Sequence, residues 1–102
     1  MSSIDSSSPY QESAVLLKAL AHPTRLQIVH GLLSTGCHNV GCIETRIGMS
    51  QSCISQHLQK LRSAGIVSAD RSGNEVYYRV ISATAAQVVA ALFHEEVSNY
   101  AL

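Results

Sequence analysis

Apolar residues recur at helical spacing along most of the 102-residue chain, after a Ser-rich start. Residues 1–9 carry almost nothing to bury, which predicts a flexible tail. A first helix begins near Tyr10 and is apolar nearly all round, which in a small protein indicates a subunit interface. Pro23 suits the first turn of a second helix, and Gly36 suits its end. The chain is therefore predicted to begin with a tail and two helices.

A loop and two more helices follow, and the second of these helices has one apolar and one polar face. The loop spans residues 35–39, and the short third helix spans about 40–47 and ends at Gly48. Ser50 suits the N-cap of the fourth helix, and Gly65 suits its C-terminal end. The buried stripe of this fourth helix is predicted to consist of Ile54, Leu58 and Leu61.

Two alternating runs, 67–71 and 75–80, predict the strands of a β-hairpin that turns at residues 72–74. A last helix with an apolar stripe is predicted over about 82–100. The resulting order, α-α-α-α-β-β-α, is that of a winged helix-turn-helix, a mainly α fold with a small β-hairpin. Residues 10–102 are thus predicted to form one domain.

The composition is that of a folded protein. Apolar residues make up 46% of the chain and charged residues 14%, with only 2 prolines, which argues against intrinsic disorder. No apolar run approaches the roughly 18 residues that a membrane span requires. The first residues lack the basic and apolar regions of a signal peptide, so we expect a cytoplasmic protein with no membrane partner.

The net charge of the chain is zero, which argues against a nucleic-acid partner as long as only the total is considered. The distribution of charge changes this picture. Between Gln51 and Arg79 there are four basic residues and two acidic ones, whereas Glu95 and Glu96 lie on the last helix. The predicted phosphate contacts are Lys60, Arg62, Arg71 and Arg79, together with His57 and with Ser72 and Asn74 at the hairpin turn.

The fourth helix has the chemistry expected of a helix that reads DNA sequence. Such a helix presents polar side chains near its N-terminus to base edges, while its other face packs on the protein. A glutamine can contact adenine through two hydrogen bonds, and a serine can contact most bases. The alternative is an exposed polar face that only keeps the protein soluble, and the surrounding order of elements favours DNA. The predicted base-reading residues are Gln51, Ser52, Ser55 and Gln56.

Several stretches, in the correct order, resemble the ArsR/SmtB family of repressors. Residues 17–28, LKALAHPTRLQI, resemble the opening signature of the family, and residues 48–62, GMSQSCISQHLQKLR, resemble its recognition helix. Gly65-Ile66-Val67 and Val76-Tyr77-Tyr78 are similar to the path into and out of the wing. The resemblance covers about residues 16–92.

The resemblance implies a homodimeric bacterial repressor that pairs through its first and last helices. It makes residues 10–102 a domain for DNA binding and dimerisation, and its partner an imperfectly palindromic, double-stranded operator. The DNA-contacting positions of the family correspond to the same four residues of the fourth helix, Gln51, Ser52, Ser55 and Gln56.

The resemblance does not identify the effector, because the chain departs from each familiar sensing pattern of the family. Where the soft-metal pattern has two cysteines around one residue, this chain has Asn39-Val40-Gly41, and Cys42 comes one place later. The last helix lacks the carboxylate and histidine set of the zinc pattern. The cysteine pair of the sulfur-sensing members corresponds to His30 and Val97.

The 3 cysteines are odd in number and come without an export signal, which predicts reduced thiols. Cys37, His38 and Cys42 offer two sulfurs and an imidazole to a soft metal or metalloid ion such as Cd(II), Zn(II) or As(III). A helix N-terminus also favours the thiolate form of cysteine, so redox sensing is a second interpretation. A third is that Cys37 is incidental and Cys42 only packs. Cys53 is expected to be a small buried residue against the third helix.

Two classes of function remain open from the residues alone. The first is a ligand-responsive repressor, whose effector is sensed by the cysteines or is not a metal at all. The second is a winged helix that serves as a protein-interaction module. An enzyme is not expected, because no Ser/His/Asp set, carboxylate pair or phosphate-binding loop is visible in the sequence.

Overall fold

The computed structural model describes residues 8–36 and 38–93, and these form five helices and three strands. The predicted last helix beyond Phe93, and the tail before Ser8, lie outside the described residues. The first helix begins at Pro9, one residue earlier than expected, because the Ser8 Oγ accepts a hydrogen bond from the Gln11 N–H and forms its N-cap. The elements, in order, are α1 (Pro9–Leu20), α2 (Pro23–Thr35), β1 (His38–Asn39), α3 (Val40–Ile47), α4 (Gln51–Ser63), β2 (Val67–Ser72), β3 (Glu75–Val80) and α5 (Ala83–Phe93).

The hairpin predicted from the sequence is present and gains a third strand. Strands β2 and β3 pair antiparallel from Val67 opposite Val80 to Ser72 opposite Glu75, which leaves Gly73 and Asn74 as a two-residue turn. Strand β1 lies on the other side of β3, with His38 opposite Tyr78. The region predicted as a loop over 35–39 therefore contains a two-residue strand, and the sheet order is β1-β3-β2.

Side-chain caps set the starts of α2, α3 and α4. The Ser50 Oγ accepts from the Cys53 N–H and begins α4 where the sequence predicted, and the Asn39 Oδ1 accepts from the Cys42 N–H at 2.8 Å and begins α3. Gly48 ends α3 with φ +79°, a backbone conformation that residues with a Cβ atom rarely adopt. These caps leave only three residues between α3 and α4.

The core lies between α2, α4, α5 and the base of the sheet. Ile54, Leu58 and Leu61, the predicted stripe of α4, have no exposed surface. They belong to the same buried cluster as Ile28 of α2 and Val89 of α5. Burial of a Leu or Ile side chain contributes about 1.5–3 kcal/mol, so this cluster fixes which face of α4 points outward.

The prediction that Cys53 is a buried packing residue is wrong, because its side chain is exposed. Successive residues of an α-helix are rotated by about 100°. Because Cys53 is the residue directly before the buried Ile54, the Cys53 side chain falls outside the buried stripe. The thiol therefore lies on the surface of α4.

Helices α1 and α5 retain apolar side chains that the described residues do not cover. On α1 only Ala19 and Leu20 are buried, whereas Val15 and Leu17 are 46% and 53% exposed. At the end of α5, Leu92 is 54% exposed. The predicted burial of α1 on more than one side is thus not achieved within one described chain. Within residues 8–36 and 38–93, no helix has the length and hydropathy needed to cross a bilayer.

The packing of α4 makes a prediction about stability. Replacement of Leu58 by alanine removes a fully buried side chain and is expected to lower the free energy of unfolding by about 2–5 kcal/mol. Gln59→Ala, at the next and exposed position, serves as the matched control and is expected to change it by less than about 0.5 kcal/mol. Urea unfolding at one fixed protein concentration measures both, and equal stability of the two variants would contradict the described packing of α4.

Candidate nucleic-acid interface

The turn between α3 and α4 presents the N-terminal half of α4 to solvent. Ile43 of α3 and Ile54 of α4 are buried in the same cluster, so both helices are anchored on their inner faces. The left-handed residue Gly48 and the N-cap Ser50 reverse the chain between them. This is the helix-turn-helix arrangement in which the second helix enters the major groove of DNA.

The outward face of α4 carries the four residues that the sequence predicted for base reading. All four are exposed and lie within the first two turns of the helix, opposite the buried stripe. Their hydroxyl and amide groups donate and accept hydrogen bonds without adding charge, as base edges in the major groove require. The structure thus brings Gln51, Ser52, Ser55 and Gln56 together on one surface.

The predicted phosphate contacts fall at two places. Lys60 and Arg62 are exposed in the last turn of α4, while Arg71 and Asn74 are exposed at the tip of the β2–β3 hairpin, which forms the wing. Arg79 differs from them, since its Nε lies 3.4 Å from the Asp70 Oδ2 in a solvent-exposed ion pair. Such pairs contribute little free energy, and we expect the Arg79 guanidinium to be exchangeable between Asp70 and a phosphate.

His57 does not lie with the outward-facing residues. Its side chain is half-buried, and its Nδ1 accepts a hydrogen bond from the Arg25 Nε at 3.3 Å. Its ring centroid lies 4.4 Å from that of His22. Burial of the ring lowers the pKa of His57 below its usual 6.5, and electrostatic interactions with His22 and then Arg25 lower it further. The predicted contact of His57 with phosphate would therefore be made by an imidazole that is held in the neutral form.

Two of the three candidate effector residues lie in the described part of the chain. Cys42 is exposed in the first turn of α3, whereas His38 lies on β1 with its Nε2 buried and without a hydrogen-bond partner. Cys37 lies outside the described residues. Over residues 8–36 and 38–93, no group of three or more His, Cys, Asp or Glu side chains is placed to hold a metal ion.

Asn39 is a residue of the site that the sequence analysis did not single out. Its Oδ1 caps α3 at the Cys42 N–H, and its Nδ2 donates a hydrogen bond to the Glu75 Oε1 at the start of β3. One side chain therefore joins the wing to the helix that carries Cys42. An asparagine before a helix is a visible capping signal, but its contact with a residue 36 positions away is not.

The fold and the exposed face of α4 together define a winged helix-turn-helix DNA-binding protein. The family model for bacterial regulatory proteins of the arsR family matches residues 22–69. The chain is 45% identical over 82 residues to the biofilm growth-associated repressor of Xylella fastidiosa, a match that spans 80% of this chain and 71% of the relative. The chain belongs to the arsR family of bacterial regulatory proteins, as the sequence resemblance implied.

Solved structures agree with this assignment. The structure of HlyU from Vibrio cholerae superimposes with a TM-score of 0.79 at 35% identity, covering 83% of this chain and 91% of that one. The transcriptional repressor BigR from Xylella fastidiosa gives a TM-score of 0.78 at 44% identity, covering 83% of this chain and 86% of that one. The chain is therefore a DNA-binding transcriptional regulator and not an enzyme.

The two kinds of DNA contact are expected to respond differently to substitution. Gln56→Ala removes the predicted hydrogen bonds to a base and is expected to weaken specific binding by about 1–3 kcal/mol without changing its salt dependence. Arg71→Ala removes a predicted phosphate contact and is expected to reduce the slope of log K against log salt by about one. Fluorescence anisotropy with a duplex that the protein has selected from a random pool measures both quantities.

Gln27→Ala, at an exposed glutamine of α2, is the matched control and is expected to bind as the unmodified protein does. If Gln56→Ala leaves the preference for the selected duplex unchanged, the assignment of Gln56 to base reading is wrong.

Proposed function

We propose that the protein is a cytoplasmic homodimeric repressor that binds a palindromic operator and is released by an effector. The observation that carries the proposal is the exposed row of two glutamines and two serines on the N-terminal half of α4, in a chain of the arsR family. In a two-fold symmetric dimer, two such helices separated by one turn of DNA read two half-sites.

Exposed apolar side chains support the dimer. Val15 and Leu17 of α1, with Leu92 and Phe93 of α5, are between 40% and 54% exposed. Large apolar patches on the surface of a soluble protein mark interfaces with other proteins. A second copy of the chain, pairing through α1 and α5, would cover these residues and leave α4 and the wing free.

The charge of the chain supports a regulator that relies on specific contacts. The chain is neutral as a whole, and the acidic Asp70 already engages one of the basic residues near the wing. Attraction to phosphate provides most of the non-specific affinity of DNA-binding proteins. We therefore infer that this repressor binds random DNA weakly and depends on base contacts from α4.

For the effector, we propose a soft metal or metalloid ion, or a thiol-reactive species, that acts at Cys42 together with Cys37 and His38. The exposure of Cys42 supports access by either kind of effector. The Asn39 side chain, which contacts both the Cys42 N–H and Glu75, supports a route from that cysteine to the wing. A change in the first turn of α3 would then alter the position of the wing on DNA.

The proposed dimer can be tested with Leu17→Glu. A carboxylate in an apolar interface is costly to bury, so the variant is expected to sediment as a monomer at concentrations where the unmodified protein is a dimer. Its affinity for a full palindrome is expected to fall to the affinity for a single half-site. Thr45→Glu, which adds the same charge at an exposed position of α3, is expected to remain a dimer. A dimeric Leu17→Glu variant would exclude α1 from the interface.

The proposed sensor can be tested with Cys42→Ser. The variant is expected to bind the operator as tightly as the unmodified protein but to lose release by cadmium chloride and by hydrogen peroxide. Cys53→Ser removes the other exposed thiol of the described residues and is the matched control, expected to keep the response. The measured quantity is the ratio of operator affinities without and with the reagent, and a normal ratio in Cys42→Ser would rule out this cysteine as a sensor.

A further inference from the structure

A cluster of three side chains joins three helices on the side of α4 that faces α1 and α2. We call it the His57 cluster, and it consists of His22, Arg25 and His57. The Arg25 Nε donates to the His57 Nδ1 on α4 at 3.3 Å, and its Nη1 donates to the Ala19 carbonyl oxygen in the last turn of α1 at 3.2 Å. Arg25 itself lies in the first turn of α2. One guanidinium therefore joins the proposed dimer helix to the proposed recognition helix.

His22 completes the cluster and begins α2. Its Nδ1 accepts a hydrogen bond from the Thr24 N–H at 3.1 Å and serves as the N-cap of the helix. Its ring is inclined by 48° to that of His57 at a centroid distance of 4.4 Å. Both imidazoles thus use Nδ1 as an acceptor, and both hydrogen bonds require Nδ1 to be unprotonated.

Protonation of His57 would convert a favourable contact into an unfavourable one. A guanidinium only donates hydrogen bonds, so a proton on the His57 Nδ1 would set two donors and two positive charges against each other. None of the groups that face His57 in the described part of the chain is acidic, so none of them offsets the positive charge of a protonated His57. They are His22 before α2 and Arg25 of α2, while Lys60 follows one turn later on α4 itself.

The surroundings of the cluster are also basic. A cavity of about 360 Å³ beside it is lined by Arg25, Lys60 and Lys18 of α1, and its lining contains no acidic residue among those described. The lowered pKa of His57 agrees with this geometry, since burial and the neighbouring positive groups all favour its neutral form.

We propose that His57 is a positioning residue that holds α4 against α1 and α2 through its unprotonated Nδ1, so that operator binding is lost on acidification. The proposal rests on the proposed function, because it concerns the helix that reads the operator. It differs from a direct phosphate contact in the sign of the pH effect. An imidazolium that contacts phosphate would bind DNA more tightly as the pH falls, whereas a positioning imidazole that gains a proton would weaken binding.

The sign of the linkage follows from the direction of the pKa shift. A histidine with a lowered pKa in the folded state binds fewer protons than it does in the unfolded chain. The arrangement of α4 is then fully stabilised above the usual pKa of 6.5 and is weakened as the pH falls through the lowered value. We expect operator affinity to fall as the pH decreases from 6.5 through the lowered pKa, by at most about tenfold per pH unit and per subunit.

The test measures operator affinity by fluorescence anisotropy between pH 7.5 and pH 5 at constant ionic strength. The unmodified protein is expected to lose affinity across this range. His57→Asn places an amide oxygen where Nδ1 lies and does not titrate, so it is expected to keep the affinity at pH 7.5 and to flatten the profile. His57→Lys provides a cation but no acceptor, and at every pH it is expected to bind at least tenfold more weakly than the unmodified protein does at pH 7.5.

Two outcomes of the affinity measurements would overturn the proposal. One is tighter binding by the unmodified protein at low pH together with full affinity of His57→Lys, which would make His57 a phosphate contact. The other is a pH profile of His57→Asn that falls as steeply as that of the unmodified protein. If the unmodified protein prefers no duplex over random DNA at any pH, the proposed function itself is wrong, and the two failures are therefore distinguishable.

A measurement without DNA keeps the test independent of how the variants fold. The nitrogen chemical shifts of the His57 imidazole in the free protein report which ring nitrogen carries the proton. The proposal requires a neutral ring protonated at Nε2 at pH 7.5, together with loss of the Arg25 contact on acidification. A ring protonated at Nδ1 at neutral pH would contradict it.

Discussion

The burial of one face of α4 is the constraint on which the rest of the structure depends. Ile54, Leu58 and Leu61 have no exposed surface, so rotation of the helix about its axis would bring at least one of them into water. The polar residues on the opposite face are therefore oriented by the core and not by their own interactions. A surface that is ordered before DNA arrives loses less conformational entropy on binding.

Apolar packing prevents rotation of α4 but is not directional, and directional contacts are needed to set the tilt of the helix. These come from two polar side chains at different places. Arg25 connects α4 to the last turn of α1, and Asn39 connects α3 to the first residue of β3. The helix that we propose as a dimer interface and the helix that carries Cys42 are thus each connected to a DNA-facing element by a few hydrogen bonds.

The sequence predicted the elements of this fold well because helical periodicity and capping are local signals. The bounds of α3, the N-cap Ser50 and the stripe of α4 are as expected. Strand β1 was missed because a two-residue strand has no period, and its partner in the sheet lies 40 positions away at Tyr78. The Arg25–His57 and Asn39–Glu75 contacts were missed for the same reason, since only the folded chain brings these residues together.

The neutrality of the chain makes these few contacts important for regulation. If attraction to phosphate is as weak as we propose, the affinity for an operator depends on how accurately the four polar residues of α4 meet the base edges. In the proposed dimer, that accuracy depends on the orientation of α4 relative to the second copy of the chain. A hydrogen bond contributes about 0.5–1.5 kcal/mol, and a dimer contains each one twice. The loss of the contact between Arg25 and His57 in both subunits of the proposed dimer would then cost about 1–3 kcal/mol, which is about five- to 150-fold in operator affinity, without unfolding any element.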